Sequence, residues 1–192
     1  MNEKTQGREN RILSLVLSGV CIAASLFHIF IAWDTSISIV QQRVFHVFIM
    51  ILIYFLMQTE KAQKEGKRLG LLYGALSLAA AVVGGYFLAN TTLEALLKRG
   101  ISGTTDLDVA MGVILIVAVM YMAWRTVGWA LTALSAIFIG YAMAGPYMPE
   151  IIAHRGYNIS YITNYVAWTS ESIFGTCVSA CVSFVALYII FG

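Results

Sequence analysis

The chain has 192 residues, of which 59% are hydrophobic and only 11% charged, and its mean hydropathy is +0.79. A soluble domain carries about twice that charged fraction, so composition excludes a water-soluble globular protein and leaves an integral membrane protein. The formal net charge of +2 implies no basic surface for nucleic acid.

A spanning helix needs about 17–25 mostly apolar residues. Six stretches meet or approach that length: 12–33, 39–57, 69–89, 107–124, 129–145 and 173–192. The polar start, MNEKTQGREN, precedes an apolar run too long for a signal peptide and lacking a small-residue cleavage site, so it reads as a retained first span. The three cysteines, Cys21, Cys177 and Cys181, all fall in apolar runs and read as small buried hydrophobes ahead of a disulfide framework. In the third span, Ala80/Gly84 and Ala81/Gly85 are small residues at i, i+4, a spacing that lets a neighbouring helix approach closely. Residues 91–99 then read as a short surface helix, capped by Thr91 or Thr92 and ended by Gly100 and Gly103. No internal repeat and no low-complexity segment interrupts the pattern.

Residues 140–175 hold both prolines, Pro146 and Pro149, between two apolar runs. Proline removes a backbone donor and biases the preceding residue away from helix, so the fifth span is expected to stop near Gly145. Glu150, His154, Arg155 and Asn158 follow and belong outside hydrocarbon. From 159 to 171 the pattern is amphipathic: Ile159, Ile162 and Val166 share a face, and Tyr157, Tyr161, Tyr165 and Trp168 offer rings suited to a headgroup boundary. The fold class is therefore an all-α membrane protein with about six transmembrane helices and a short interfacial amphipathic helix.

Loop charges set the orientation. With a cytoplasmic N-terminus the inner segments hold Lys4, Arg8, Arg11, Lys61, Lys64, Lys67, Arg68 and Arg125 against Glu3, Glu9, Glu60 and Glu65. The outer segments hold Arg43, Lys98, Arg99 and Arg155 against Asp34, Glu94, Asp106, Asp108, Glu150 and Glu171. That excess of inner bases follows the positive-inside rule, and it turns the 140–175 hinge outward.

Few polar groups lie inside the spans. His28 and His46 sit at comparable depth in the first two, where they either hydrogen-bond across helices or ligate a haem axially. Arg43, one turn before His46, is expected to snorkel to the outer surface. Cys177 and Cys181 share a face of the sixth span with no further metal ligand beside them, which favours packing over a thiolate metal site. His154 and Arg155, with Glu150 one turn back, read as surface salt-bridging ahead of catalysis. There is no phosphate-binding glycine loop, no HExxH and no GxSxG, so no catalytic residue is assigned and the chain is not read as an enzyme.

Four stretches, in order, resemble one family, the fused permeases of the TRAP transporters paired with TAXI-type binding proteins. They are Gln42-Arg43-Val44-Phe45-His46, similar to that family's QRxxH; Asp106-Leu107-Asp108 followed by Arg125-Thr126-Val127-Gly128-Trp129-Ala130-Leu131, similar to its acid-opened helix ending in RRTVGWAL; Gly145-Pro146-Tyr147 with Pro149 and His154-Arg155-Gly156-Tyr157, similar to GxYxPxxxxHRGY; and Thr169-Ser170-Glu171-Ser172-Ile173-Phe174-Gly175, similar to TTEGIFG. Trp124 stands where the family has the first arginine of a pair and Tyr121 where it often has a glutamate, so both partners of a possible i, i+3 ion pair are absent together. Thr176-Cys177 replaces an Ile-Pro and Ser179 a glycine, which is expected to soften a helix break in the sixth span.

The resemblance implies a four-helix Q-like membrane domain at 1–127, a linking helix and outward hinge at 128–172, and the first part of an M-like transport domain at 173–192, a domain that would continue beyond Gly192. It implies a permease component for small organic anions in a bacterial or archaeal inner membrane, with Na+ as coupling ion and no cofactor in the protein. The implied partners are a periplasmic TAXI-type binding protein and the rest of the transport domain, with no nucleic acid. Arg43, His46, Arg125, Pro146, Pro149, His154, Arg155 and Glu171 are the structural or partner-facing candidates. No substrate- or sodium-binding residue falls within the chain, so substrate identity is not readable from it. A haem-bearing redox subunit and a structural or assembly protein are the alternatives.

Overall fold

In hydrocarbon no water satisfies the backbone, and a helix closes all of its own hydrogen bonds within one segment. The computed structural model describes residues 3–34, 36–65 and 69–191 and, within them, no side chain of 3–10, 93, 100–102 or 190. The described residues are mostly helical and contain no strand, and they include five helices long and apolar enough to cross a membrane, plus a shorter apolar one, Thr176–Ile189. The protein is thus an all-α, multi-pass membrane protein. Of the charges used for orientation, Lys67 and Arg68 lie outside the described residues, as does Gly192.

The long helices are α1 (Glu3–Trp33), α2 (Ile39–Lys64), α3 (Leu69–Asn90), α5 (Asp106–Thr126) and α6 (Trp129–Ala144). Between α3 and α5 lies α4 (Leu93–Ser102), and α7 (Ile159–Trp168) follows α6. The chain ends in α8 (Thr176–Ala180), a π turn at Cys181–Val185, and α9 (Ala186–Phe191).

Several boundaries differ from expectation for local reasons. Helix α2 runs seven residues past the expected end at 57, because Thr59 bonds the Phe55 carbonyl and Lys64 pairs with Glu60 at 2.8 Å, both within helical reach. Helix α4 passes through Gly100 and stops before Gly103, whose φ of +77° is the left-handed conformation of a helix-ending glycine. Thr92, not Thr91, caps it, accepting from the Ala95 N–H at 3.3 Å, while the Thr91 hydroxyl donates to the Phe87 carbonyl. The sixth apolar stretch is helical only from Thr176, because residues 172–175 form a turn closed by the Gly175 N–H on the Ser172 carbonyl at 2.9 Å.

By contacts the chain forms two compact units, Met1–Leu96 with Thr176–Gly192, and Leu97–Gly175. In that grouping α5 falls with α6 and α7. In the first unit α2 is central, packing on α1, on α3, on α8 and on the π turn, while α9 packs on α1. Its core pairs Phe48 with Phe87 (ring centroids 5.1 Å apart) and Phe27 with Phe45 (3.8 Å). Gly84 lets α3 close on α2, since an added Cβ would meet Phe48 at 3.0 Å. Only Ala80/Gly84 serves this contact; Ala81 and Gly85 are exposed. In the second unit α7 lies on α5 at Gly112, where a Cβ would strike Thr163 and crowd Ala167 and the Trp168 ring. Cys21 and Cys177 are exposed and Cys181 half-buried, so the expectation of small buried cysteines is corrected for the first two: they sit on outward helix faces.

Candidate functional site

The first unit holds a polar cluster inside its helices. Burial of His28 and the lean of α1 on α2 bring the two intramembrane histidines together: His28 Nε2 lies 2.8 Å from His46 Nδ1. His28 Nδ1 lies 2.7 Å from the Ala24 carbonyl, which only accepts, so that nitrogen carries the proton. In the neutral ring Nε2 then accepts, and His46 donates to it from Nδ1. An imidazole–metal bond is about 2 Å, so two imidazoles flanking one iron need facing nitrogens about 4 Å apart. At 2.8 Å the facing nitrogens share a proton instead, and the pair as placed does not fit a bis-histidine haem.

Arg43, one turn earlier on α2, does not run out to the surface as expected. It is half-buried and its Nη2 donates to Ser179 Oγ on α8 at 3.0 Å. Ser179 thus supplies a half-buried acceptor for the guanidinium. Regular helix begins at Thr176 and includes Cys177, and the irregularity comes later, as the π turn at Cys181–Val185. Cys177 and Cys181 join no metal cluster: no group of three candidate ligands occurs among the described residues.

The second unit holds a cluster that the sequence did not single out. Arg99 of α4 and Asp108 of α5 form an ion pair at 2.8 Å with side chains only 11% and 4% exposed. Asp108 also closes a capping box with Thr105, taking the Thr105 N–H at 2.9 Å while the Thr105 hydroxyl accepts from the Asp108 N–H at 3.2 Å. The Arg99 guanidinium lies 3.9 Å over the Trp168 ring, and the Trp168 indole N–H donates to the Asp108 carbonyl at 3.0 Å. Trp168, expected at a headgroup boundary, is therefore a core residue. The signal available in the sequence was Thr105-x-x-Asp108 at a helix start; nothing local pointed from there to Arg99 or Trp168.

The hinge after α6 is a pinned turn. Gly145-Pro146-Tyr147 forms a single 3₁₀ turn. The chain doubles back so that the His154 N–H reaches the Gly145 carbonyl at 3.3 Å and the Tyr157 N–H the Ala142 carbonyl at 2.9 Å. His154 makes no ion pair with Glu150. Its Nε2 donates to the Tyr141 carbonyl at 3.1 Å and its Nδ1 accepts from the Gly156 N–H at 3.1 Å, which together fix the Nε2–H tautomer. Gly156 has φ +70° and lies against Pro146, where a Cβ would collide. Arg155 is exposed and lies 5.1 Å over the Tyr157 ring.

Pro146, Pro149 and Glu171 are exposed, as is Arg125 in the last turn of α5. Tyr121 and Trp124 meet edge to face at 6.4 Å. The candidates thus divide: Arg43 and His46 engage partners in the first unit, His154 and Arg155 in the second, and Arg125, Pro149 and Glu171 stand at the surface. No family model, curated protein or solved structure matches this chain.

Proposed function

We propose that the chain is a membrane permease component of a TRAP-type secondary transporter for small organic anions, acting as scaffold. The observation that carries this reading is order: four stretches similar to one family follow one another from Gln42 to Gly175 in that family's sequence. Their placement is in keeping with it. Arg43 and His46 of the first stretch supply the buried polar contacts of one unit, and Asp108 of the second and His154 of the third supply those of the other.

In this reading the long helices hold a transport domain in place while a mobile part carries substrate with Na+. The surfaces at 34–43, 91–106 and 146–172 would receive a periplasmic binding protein, and the membrane would be a bacterial or archaeal inner membrane. Substrate and sodium sites in secondary transporters are built from discontinuous helices near the midplane. The described residues contain no such pair, so these residues alone would not transport.

The test is to tag the chain in its native cell, purify it in mild detergent, measure the intact masses present, and reconstitute that material. The reading requires sodium-dependent uptake of an organic anion that depends on a binding protein. It also requires no uptake by the 192 residues alone. A Soret band in the purified material, or native material that moves no anion under a sodium gradient, would overturn it.

A further inference from the structure

We propose that the second unit carries a phospholipid site, with one acyl chain in the groove between α6 and α7 and the headgroup phosphate on Arg155. The groove is open and measures about 350 Å³, at the low end of the ~300–1,000 Å³ that small-molecule sites occupy. One wall is Phe138, Ile139 and Ala142 of α6; the other is Tyr157, just before α7, with Tyr161 and Tyr165 of α7.

Two observations identify the occupant. First, α6 is one of the spanning helices and buries none of its residues, so the groove opens onto hydrocarbon rather than water. Second, the groove changes character along its length. The α6 wall is purely apolar, whereas the far end carries a stacked pair of phenols, Tyr157 and Tyr161 with ring centroids 4.8 Å apart, and the Arg155 guanidinium beside Tyr157. Among the described residues no carboxylate pairs with Arg155, so its charge is available to an anion. An apolar slot open to hydrocarbon and ending in phenols and one cation complements an acyl chain segment ending in a phosphate. Tyr161 and Tyr165 are about half exposed, which leaves their hydroxyls able to reach ester and phosphate oxygens. The site takes up part of the 146–172 surface that the transport reading gives to a binding protein, and its test does not rest on that reading.

The experiment is native mass spectrometry of the full chain, titrated with phosphatidylglycerol and, separately, with phosphatidylcholine. Three proteins are compared: the unmodified chain, Arg155→Gln and Ala142→Phe. One basic residue at an anionic lipid surface is worth about 1 kcal/mol, so Arg155→Gln should weaken phosphatidylglycerol retention about fivefold. Arg155→Lys should restore most of the loss. Ala142→Phe fills the groove and should weaken retention of both lipids. Arg155 is exposed, so its replacement leaves the fold intact and keeps the test valid if Ala142→Phe does not fold. Equal retention by all variants overturns the site. So does a dimer that Ala142→Phe dissociates, which would give the groove to a second copy of this chain.

Discussion

The two units hold polar groups inside a membrane protein by different means. The first buries neutral partners: two imidazoles sharing a proton, and hydroxyls such as Thr59 and Thr91 bonded to backbone carbonyls four residues earlier. Arg43, a half-buried cation there, donates to the Ser179 hydroxyl. The second unit buries a full ion pair, Arg99–Asp108, with an aromatic ring over the cation and a cap on the anion. The difference follows helix length. In the first unit α2 alone gives 26 residues of contact surface, and ring packing along it suffices. In the second, α7 has 10 residues, too few to hold its place by apolar burial, so a directional cluster fixes it on α5.

The contrast breaks most readily at the ion pair. Removing one partner of a buried pair leaves an uncompensated charge and costs about 3–5 kcal/mol. Asp108→Ala should therefore lose that much in SDS-titrated unfolding followed by circular dichroism, with new proteolytic cutting between 145 and 158. The double variant Arg99→Met/Asp108→Leu should recover most of the loss, since no charge remains to be stranded. An Asp108→Ala protein as stable as the parent would mean that the pair does not hold the second unit together.

Overpacking the α5–α7 crossing comes next. Gly112→Leu places a side chain where Thr163 and Ala167 already lie, and overpacking costs about 1–3 kcal/mol. The same readout should show it, and Gly85→Leu, which meets nothing within 4 Å, is the matched control. Similar losses in both would indicate a general intolerance of bulk rather than a specific close approach.

The hinge glycine should follow. Gly156→Ala forces a Cβ into a left-handed conformation, a cost of about 1–2 kcal/mol per residue, beside a collision with Pro146. Faster protease cutting at the hinge, with α1–α3 unaffected, is the expected result; unchanged cutting would mean that the turn is not under this constraint.

The smallest effect belongs to the first unit. Interhelical hydrogen bonds in membranes average about 0.6 kcal/mol and reach about 1.7, so His28→Ala should cost roughly 1 kcal/mol in the same unfolding assay. A loss as large as that of Asp108→Ala would erase the distinction between the units.

Much of this was legible in the sequence because hydrocarbon imposes a simple rule: apolar length becomes helix. The five long helices lie where the hydropathy pattern put them, and α6 ends at the Gly145-Pro146 step as proline chemistry requires. Local chemistry also reached the glycine-rich contact of Ala80/Gly84 and a hydrogen-bonding option for His28 and His46. What the sequence could not supply was partnership across distance. Arg43 turned inward because Ser179, 136 residues away, presents a hydroxyl to it. Arg99 and Asp108, counted as loop charges, became a buried pair because Trp168 folds back over them. His154 exchanged an expected carboxylate for two backbone groups brought close by the turn at Gly145. Periodicity and proline act along the chain, and one strand of sequence suffices to read them. Which polar groups end up sharing a low-dielectric interior depends on how helices lean on one another, and only the tertiary structure decided that.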